Sequence, residues 1–390
     1  MQDTILALNA GSSSIKFGVY DACGADLMAA ARGTLDIGKS PRLMARAGDG
    51  SVVLERTVQG DGLPAGIAAM LDWLETEFDG RRIVACGHRI VHGGSTFFES
   101  VLLTPERIDA VEALSPLAPL HQPRSVAPIR VLSSLRPGLP QIGCFDTAFH
   151  RTMQPPASRY ALPRSYEEKG IRRYGFHGLS YEFIAEQLHR EGSAERRTVV
   201  AHLGNGASLC AMRQGRSVDT TMGFSALDGL MMGTRCGTID PGVLLYLLQH
   251  DGIRTDELER LLYRESGLLG VSGISGDMRD LEASTAASAR EAIELFVFRA
   301  ARETAALAAT LGGLDCLVFT AGIGEHSARV RQAICHRLAW LGVSIDTEAN
   351  DRHEPVVSSS ASKVEVHVIA TDEESIIARH TLGLIAGKSA

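Results

Sequence analysis

The chain has 390 residues, 45% of them hydrophobic, 22% charged and 5% aromatic, with 40 glycines and a formal net charge of −7. That length passes the size at which one hydrophobic core usually stops growing, so two domains are expected. An acidic balance without a lysine or arginine block argues against a nucleic-acid partner. The absence of a long apolar run argues against a signal peptide or membrane partner, so a cytoplasmic enzyme is expected.

In chain order, an apolar strand at 4–9 runs into NAGSSSIKF at 9–17. Gly11 and Lys16 suggest a phosphate-binding P-loop, but with Lys16 in register Gly11 falls one place late, Ile15 occupies the second glycine position and Phe17 the metal-binding hydroxyl position. The following IKFGVYD alternates as a strand does, so 14–20 is predicted as strand rather than helix. The unit reads as strand, polar turn, strand, and any phosphate contact would come from a β-hairpin. Ser12 and Ser14 are candidates for hydrogen bonds to phosphate or metal-bound water.

Further strands are predicted at 83–87, 141–145, 198–203, 207–213, 314–320 and 364–370. Between them lie helical patterns. One starts at Thr104-Pro105, a hydroxyl cap followed by proline at the first helical position. Another spans 287–311 and stops at Gly312-Gly313. The last begins at TDEE, 371–374, as a capping box pairing Thr371 with Glu374. Strands alternating with helices make the chain α/β. The seven cysteines (Cys23, Cys86, Cys144, Cys210, Cys236, Cys316, Cys335) form no C-x-x-C pair and read as reduced, mostly buried thiols.

The opening hairpin has a distant echo. VVAHLGNGASLCAMRQG at 199–215 repeats its layout, with Ser208-Leu209 opposite Ser14-Ile15. Either short glycine turns match by chance, or two related halves face a cleft and hold a phosphate chain from both sides, since successive backbone N–H groups make anion sites. A third phosphate-like element is LDCLVFTAGIGEHSARVRQAI at 314–334, read as a strand, a Gly322-x-Gly324 turn and a helix. Ser327 occupies the place of a third glycine.

Arg89 in GHRIVHGG and Arg235 in GTRCGTIDPG sit in glycine-rich loops, where a planar guanidinium suits carboxylate or phosphoryl oxygens. His177 lies in RRYGFHGLS and His202 in the second hairpin; neither has zinc-ligand spacing. Asp146 follows an apolar strand in CFDTAFH, where α/β sheets collect ligand groups, or where it caps the next turn.

Together, NAGSSSIKF, GHRIVHGG, LAPLHQP, FDTAFH, RRYGFHG, HLGNGAS, MGTRCGTIDPG, SGDMRD, FTAGIGE and TDEE resemble the acetate kinase family, within the superfamily of acetate and sugar kinases, actin and heat-shock chaperones. The resemblance implies two actin-like, ribonuclease H-like domains flanking a nucleotide-binding cleft, the first covering 1–148 plus 374–390 and the second 149–373 with a homodimer surface. It implies reversible transfer of the ATP γ-phosphoryl group to acetate, giving acetyl phosphate and ADP, with Mg²⁺ or Mn²⁺.

By motif, Asn9 and Glu373 would organise the metal. Lys16, the His202-Leu203-Gly204-Asn205-Gly206 loop, Asp277-Met278-Arg279 and Gly322-Ile323-Gly324-Glu325-His326 would contact the nucleotide. Arg89 would clamp the acyl carboxylate, and His177 and Arg235 would stabilise the migrating phosphoryl group. Asp146 would be the catalytic carboxylate, with orientation favoured over acid catalysis because an acetate-like carboxylate, of pKa about 4, is already ionised. Val91, Leu120, Phe176 and Ala226 would line the acyl pocket.

Three positions depart from the family pattern. Ala226 stands where proline is usual, Thr238 where aspartate is common, and His326 where asparagine often follows GIGE. The first leaves room for propionate, the last bears on nucleotide preference. A propionate or short-chain acyl kinase on the same scaffold is the alternative reading, and a non-catalytic ATP-switch protein a more distant one.

Overall fold

The computed structural model describes residues 2–11, 13–23, 26–38, 40–78 and 80–387. Ser12, a candidate ligand residue, lies outside the described residues. The chain divides into two compact units, Met1–Phe149 with Asp372–Ala390, and His150–Thr371.

The first unit is built on a mixed sheet of strands β1 (Asp3–Ala10), β2 (Ser14–Cys23), β3 (Asp26–Asp36), β4 (Arg42–Ala47), β5 (Val52–Thr57), β6 (Arg82–Ile90), β7 (Val101–Leu102) and β8 (Gln141–Phe145). Their order is β5-β4-β3-β2-β1-β6-β8-β7. The hairpin pairs β1 with β2 antiparallel, with Asn9 opposite Lys16. The parallel pairs β1–β6 and β6–β8 then bring the carboxyl ends of three strands side by side. The meander β3–β5 was not foreseen: its stretch MAAARG lacks the β-branched residues that mark a strand.

One face of the hairpin packs into a core around Phe17, Leu35, Ile67, Leu71 and Trp73, with Phe17 and Trp73 edge to face at 6.3 Å. The C-terminal helix Glu373–Ala386 lies on β1 and β6. Gly87 makes that approach possible, because a methyl group there would meet Ile377 Cγ2 at 2.5 Å and Thr381 Oγ1 at 2.2 Å. This helix delivers Glu373 and Glu374 to the strand ends.

The second unit carries β9 (Thr198–Leu203), β10 (Ala207–Arg213), β11 (Arg216–Thr220), β12 (Cys316–Thr320) and β13 (Glu365–Val368), in the order β11-β10-β9-β12-β13. Two antiparallel pairs followed by two parallel ones repeat the pattern β3-β2-β1-β6-β8 of the first unit. The echo between the hairpins is therefore a repeat of whole sheets, as two actin-like domains require. The helix expected at 287–311 spans Ala287–Leu311 and ends on Gly312 at φ 73°, and Thr104 caps Pro105–Glu112.

Two local expectations are corrected. The capping box at 371–374 does not form: Asp372 caps the last helix by accepting from Ser375 N, and Glu374 is taken by Asn9 instead. Gly322 and Gly324 are not a turn between strand and helix. They lie within the helix Ala321–His326, which starts directly after β12 because Ala321 itself turns the chain at φ 64°. Ser327 caps the next helix, Ala328–Arg337, by accepting from Val330 N.

Candidate active site

In the first unit, Asn9 and Arg89 each lie one residue from the end of their strands, β1 and β6, and Asp146 follows β8. The Asp146 side chain is 1% exposed and that of Arg89 18%. Arg89 Nε and Nη2 donate to both Asp146 carboxylate oxygens at 2.6–3.1 Å, and Nη1 donates to Asn9 Oδ1 at 3.1 Å. Asn9 Nδ2 donates in turn to Glu373 Oε2 at 2.8 Å and Glu374 Oε1 at 2.9 Å, and Glu373 lies 3.7 Å from Arg89 Nε.

Three carboxylates thus surround one guanidinium. Burial opposes the charge on Arg89, but Asp146 and then Glu373 outweigh it and push its pKa up. Burial, followed by the neighbouring Glu373 charge, pushes the Glu374 carboxyl up. Only three of the five N–H groups of Arg89 are needed for these bonds, leaving two for a ligand oxygen. Val91 is buried, Leu120 half-buried, and Lys16 is exposed on β2. Glu374 has no signal of its own in the sequence, since a contact spanning 365 residues brings it to Asn9.

In the second unit, His177 precedes the helix Gly178–Arg190 with a left-handed φ of 59°. Its ring stacks on His202 (centroids 4.2 Å, planes 16° apart), and its Nδ1 lies 2.8 Å from Ser208 Oγ. The Nε2 edge faces the hairpin turn: a methyl group on Gly206 would lie 3.3 Å from His177 Nε2 and 3.9 Å from Arg235 Nη1. Arg235 is anchored by donation to the Ala226 carbonyl at 2.9 Å. The sequence-predicted His177, Arg235 and Gly206 therefore converge on one point, and Ala226 supports Arg235 through its backbone.

The neighbouring loops interlock. Gly233 N donates to Asn205 O, and a side chain on Gly233 would strike Asn205 Oδ1 at 2.2 Å and Gly276 O at 2.9 Å. Asp277 caps Met278–Ala283 and pairs with the exposed Arg279, whose side-chain and then backbone N–H bonds hold the Asp277 carboxyl below its usual range. Glu325 accepts from Thr371 N, while His326 is exposed. Thr238 donates to Asp228 at 2.8 Å, a contact in which an aspartate would set two carboxylates against each other. Phe176 is buried, its carbonyl held by His150 Nε2 at 2.9 Å. Beneath the Gly322–His326 segment sits Arg331, unmarked in the sequence. It is fully buried and donates to the carbonyls of Gly324 and Glu325.

The Acetokinase family model matches residues 4–379. An acetate kinase of Rhodopseudomonas palustris is 52% identical over 99% of this chain and all of its own length, and one of Rhizobium meliloti is 47% identical over the whole of both. Among solved structures, a propionate kinase from Francisella tularensis superposes with TM-score 0.90 at 37% identity, covering 98% of this chain and 99% of that one. Porphyromonas gingivalis acetate kinase superposes at 0.86 with 36% identity, covering 98% of this chain and all of that one.

Proposed function

The chain belongs to the acetokinase family, and we propose that it moves the γ-phosphoryl group of ATP to acetate, and back, using the residue clusters just described. The observation that carries the reading is Arg89: a guanidinium 18% exposed, held edge-on by Asp146, with N–H groups left to bind a carboxylate. An ATP switch has no use for such a clamp.

Acetate is ionised at neutral pH, so one of its oxygens attacks phosphorus directly. The bond from γ-phosphorus to the ADP oxygen breaks in line, and ADP departs as an anion without needing a proton. Catalysis then rests on alignment and charge neutralisation. Arg89 holds the acetate. Asp146 acts as orienter, since both its oxygens already accept from Arg89. Arg235 neutralises charge on the migrating phosphoryl group, and His177 stabilises it by hydrogen bonding. The turn 202–206, Asp277–Arg279 and Gly322–His326 contact the nucleotide.

Asn9, Glu373 and Glu374 offer oxygen donors with surplus negative charge, which suits a hard divalent cation. Among the described residues no three His, Cys, Asp or Glu side chains form a ready cage. Mg²⁺ does not require one, being usually held by one or two carboxylates and substrate phosphates. When bound, Mg²⁺, or Mn²⁺ in its place, neutralises phosphate charge.

The test is direct: ATP, Mg²⁺, acetate and hydroxylamine should yield acetyl hydroxamate, and no product would end the reading. Ala226, buried where the family has proline, favours a secondary activity on propionate.

Self-association is supported by the helix Pro241–Gln249, PGVLLYLLQ, which has no buried residue and exposes Leu245 and Tyr246 at 54% and 57%. A homodimer covering it should become monomeric by light scattering in Leu245→Glu. No helix among the described residues is long and apolar enough to cross a membrane.

A further inference from the structure

His177 holds its ring through a hydrogen bond that does not stop at the first partner. Ser208 Oγ, 2.8 Å from His177 Nδ1, is also 2.5 Å from the hydroxyl of Tyr181. Both hydroxyl residues are completely buried. Tyr181 stands four residues after His177, one turn into the helix Gly178–Arg190, so its side chain returns over the same face. Ser208 lies on β10 directly opposite His202 on β9, and their side chains rise from one face of the hairpin. Thus the helix and the residue that caps its start supply the phenol and the ring, while the sheet supplies the linking hydroxyl and the stacked imidazole.

The direction of the chain follows from its chemistry. Arg235 carries a permanent charge close to the Nε2 edge of His177, and a second cation there would be repelled. A neutral His177 that acts as a hydrogen-bond donor toward phosphoryl oxygen must carry its single proton on Nε2. Nδ1 is then an acceptor, Ser208 donates to it, and Ser208 in turn accepts from Tyr181. His177 also sits at a left-handed φ of 59°, a conformation the surrounding contacts must hold in place.

We propose that the buried Tyr181–Ser208 hydroxyl pair is a positioning relay that locks His177 in the neutral tautomer with its proton on Nε2. The proposal rests on the phosphoryl-stabilising role given to His177 above. Neither Tyr181 nor Ser208 touches substrate; they act through the ring.

The experiment is a double-mutant cycle on the full-length enzyme with kcat and both KM values measured. Ser208→Ala should lower kcat about tenfold or more while KM for ATP and acetate stays within about threefold, the size usual for losing a ligand-orienting partner. Ser208→Thr, which keeps the hydroxyl, should restore most of kcat, and Tyr181→Phe should lower it in the same sense. In a His177→Gln background, Ser208→Ala should have no further effect on kcat, because the group it orients is gone. Melting temperatures identify any variant that fails to fold, and Ser208→Thr then supplies the comparison with Tyr181→Phe. If His177→Gln slows turnover but Ser208→Ala does not, or if the two losses simply multiply, the relay is wrong and the role of His177 stands. If His177→Gln leaves kcat unchanged, the role of His177 falls and takes the relay with it.

Discussion

Replacing Arg331 with methionine should both loosen the second unit and weaken nucleotide binding. All five N–H groups of this buried arginine find acceptors: Nε on Asn350 Oδ1 at 2.7 Å, Nη1 on the Gly324 and Glu325 carbonyls at 3.0 and 2.8 Å, and Nη2 on Asn350 O and His353 Nδ1 at 2.7 and 3.0 Å. None of these partners is a carboxylate. The charge is held by carbonyl dipoles at the end of the helix Ala321–His326, and burial draws the Arg331 pKa down. Methionine fills similar volume but leaves several carbonyls buried without donors, at a cost of about 3–5 kcal/mol. For a unit of this size that is a fall in melting temperature of about 10 °C. Lysine, with three donors and no fork, should lie between. Because the two carbonyls belong to the segment assigned to the nucleotide, KM for ATP should rise about tenfold, or about 1.4 kcal/mol, while KM for acetate holds. Thermal melting and steady-state kinetics on Arg331→Met and Arg331→Lys measure both effects. A methionine variant that melts within about 2 °C of the parent, with unchanged KM for ATP, would refute the reasoning.

His88 and His150 are buried and their pKa values are pushed down to about 4, chiefly by burial. The unfolded chain, with histidines near 6.5, binds more protons than the folded one between those values, so stability should fall as pH drops from about 6.5 to 4, by up to about 3 kcal/mol per histidine. Urea midpoints across that window check it; a flat profile would contradict it. Glu374→Gln removes one of the carboxylates bonded to Asn9 and should raise the Mg²⁺ concentration for half-maximal rate about tenfold, read by Mg²⁺ titration at saturating ATP. Ala226→Pro should shift the kcat/KM ratio toward acetate over propionate by about 1–3 kcal/mol at most; an unchanged ratio would remove Ala226 from the acyl pocket.

The sequence was most legible where the signal is local. Alternation in IKFGVYD marked β2, and Pro105 and Gly312 marked helix ends, because each reports on its own backbone. The two hairpins suggested a duplication that the sheet orders display in full. It failed where a distant group decides. TDEE satisfies the capping-box pattern, yet Glu374 is claimed by Asn9 across the chain, so Asp372 takes over as cap. GIGE resembles a phosphate turn, but Ala321 adopts the strained dihedral and frees the glycines to be helical. Arg331 in ARVRQ looks like any surface arginine, and Tyr181 and Ser208 are joined only once helix and hairpin pack. Arg89, His177 and Arg235 were visible as residue types in glycine-rich settings, whereas their bonds to Asp146, Ser208 and the Ala226 carbonyl were not.

The central claim is that Arg89 receives the acyl carboxylate. Arg89→Ala, with Arg89→Lys as the variant that keeps charge without the fork, should be compared with the parent for kcat/KM toward acetate and for ATP binding by calorimetry. The account predicts that kcat/KM for acetate falls about a thousandfold in the alanine variant, about 4 kcal/mol of transition-state binding. ATP affinity should stay within about threefold. Loss of ATP binding with acetate kinetics otherwise intact would contradict it.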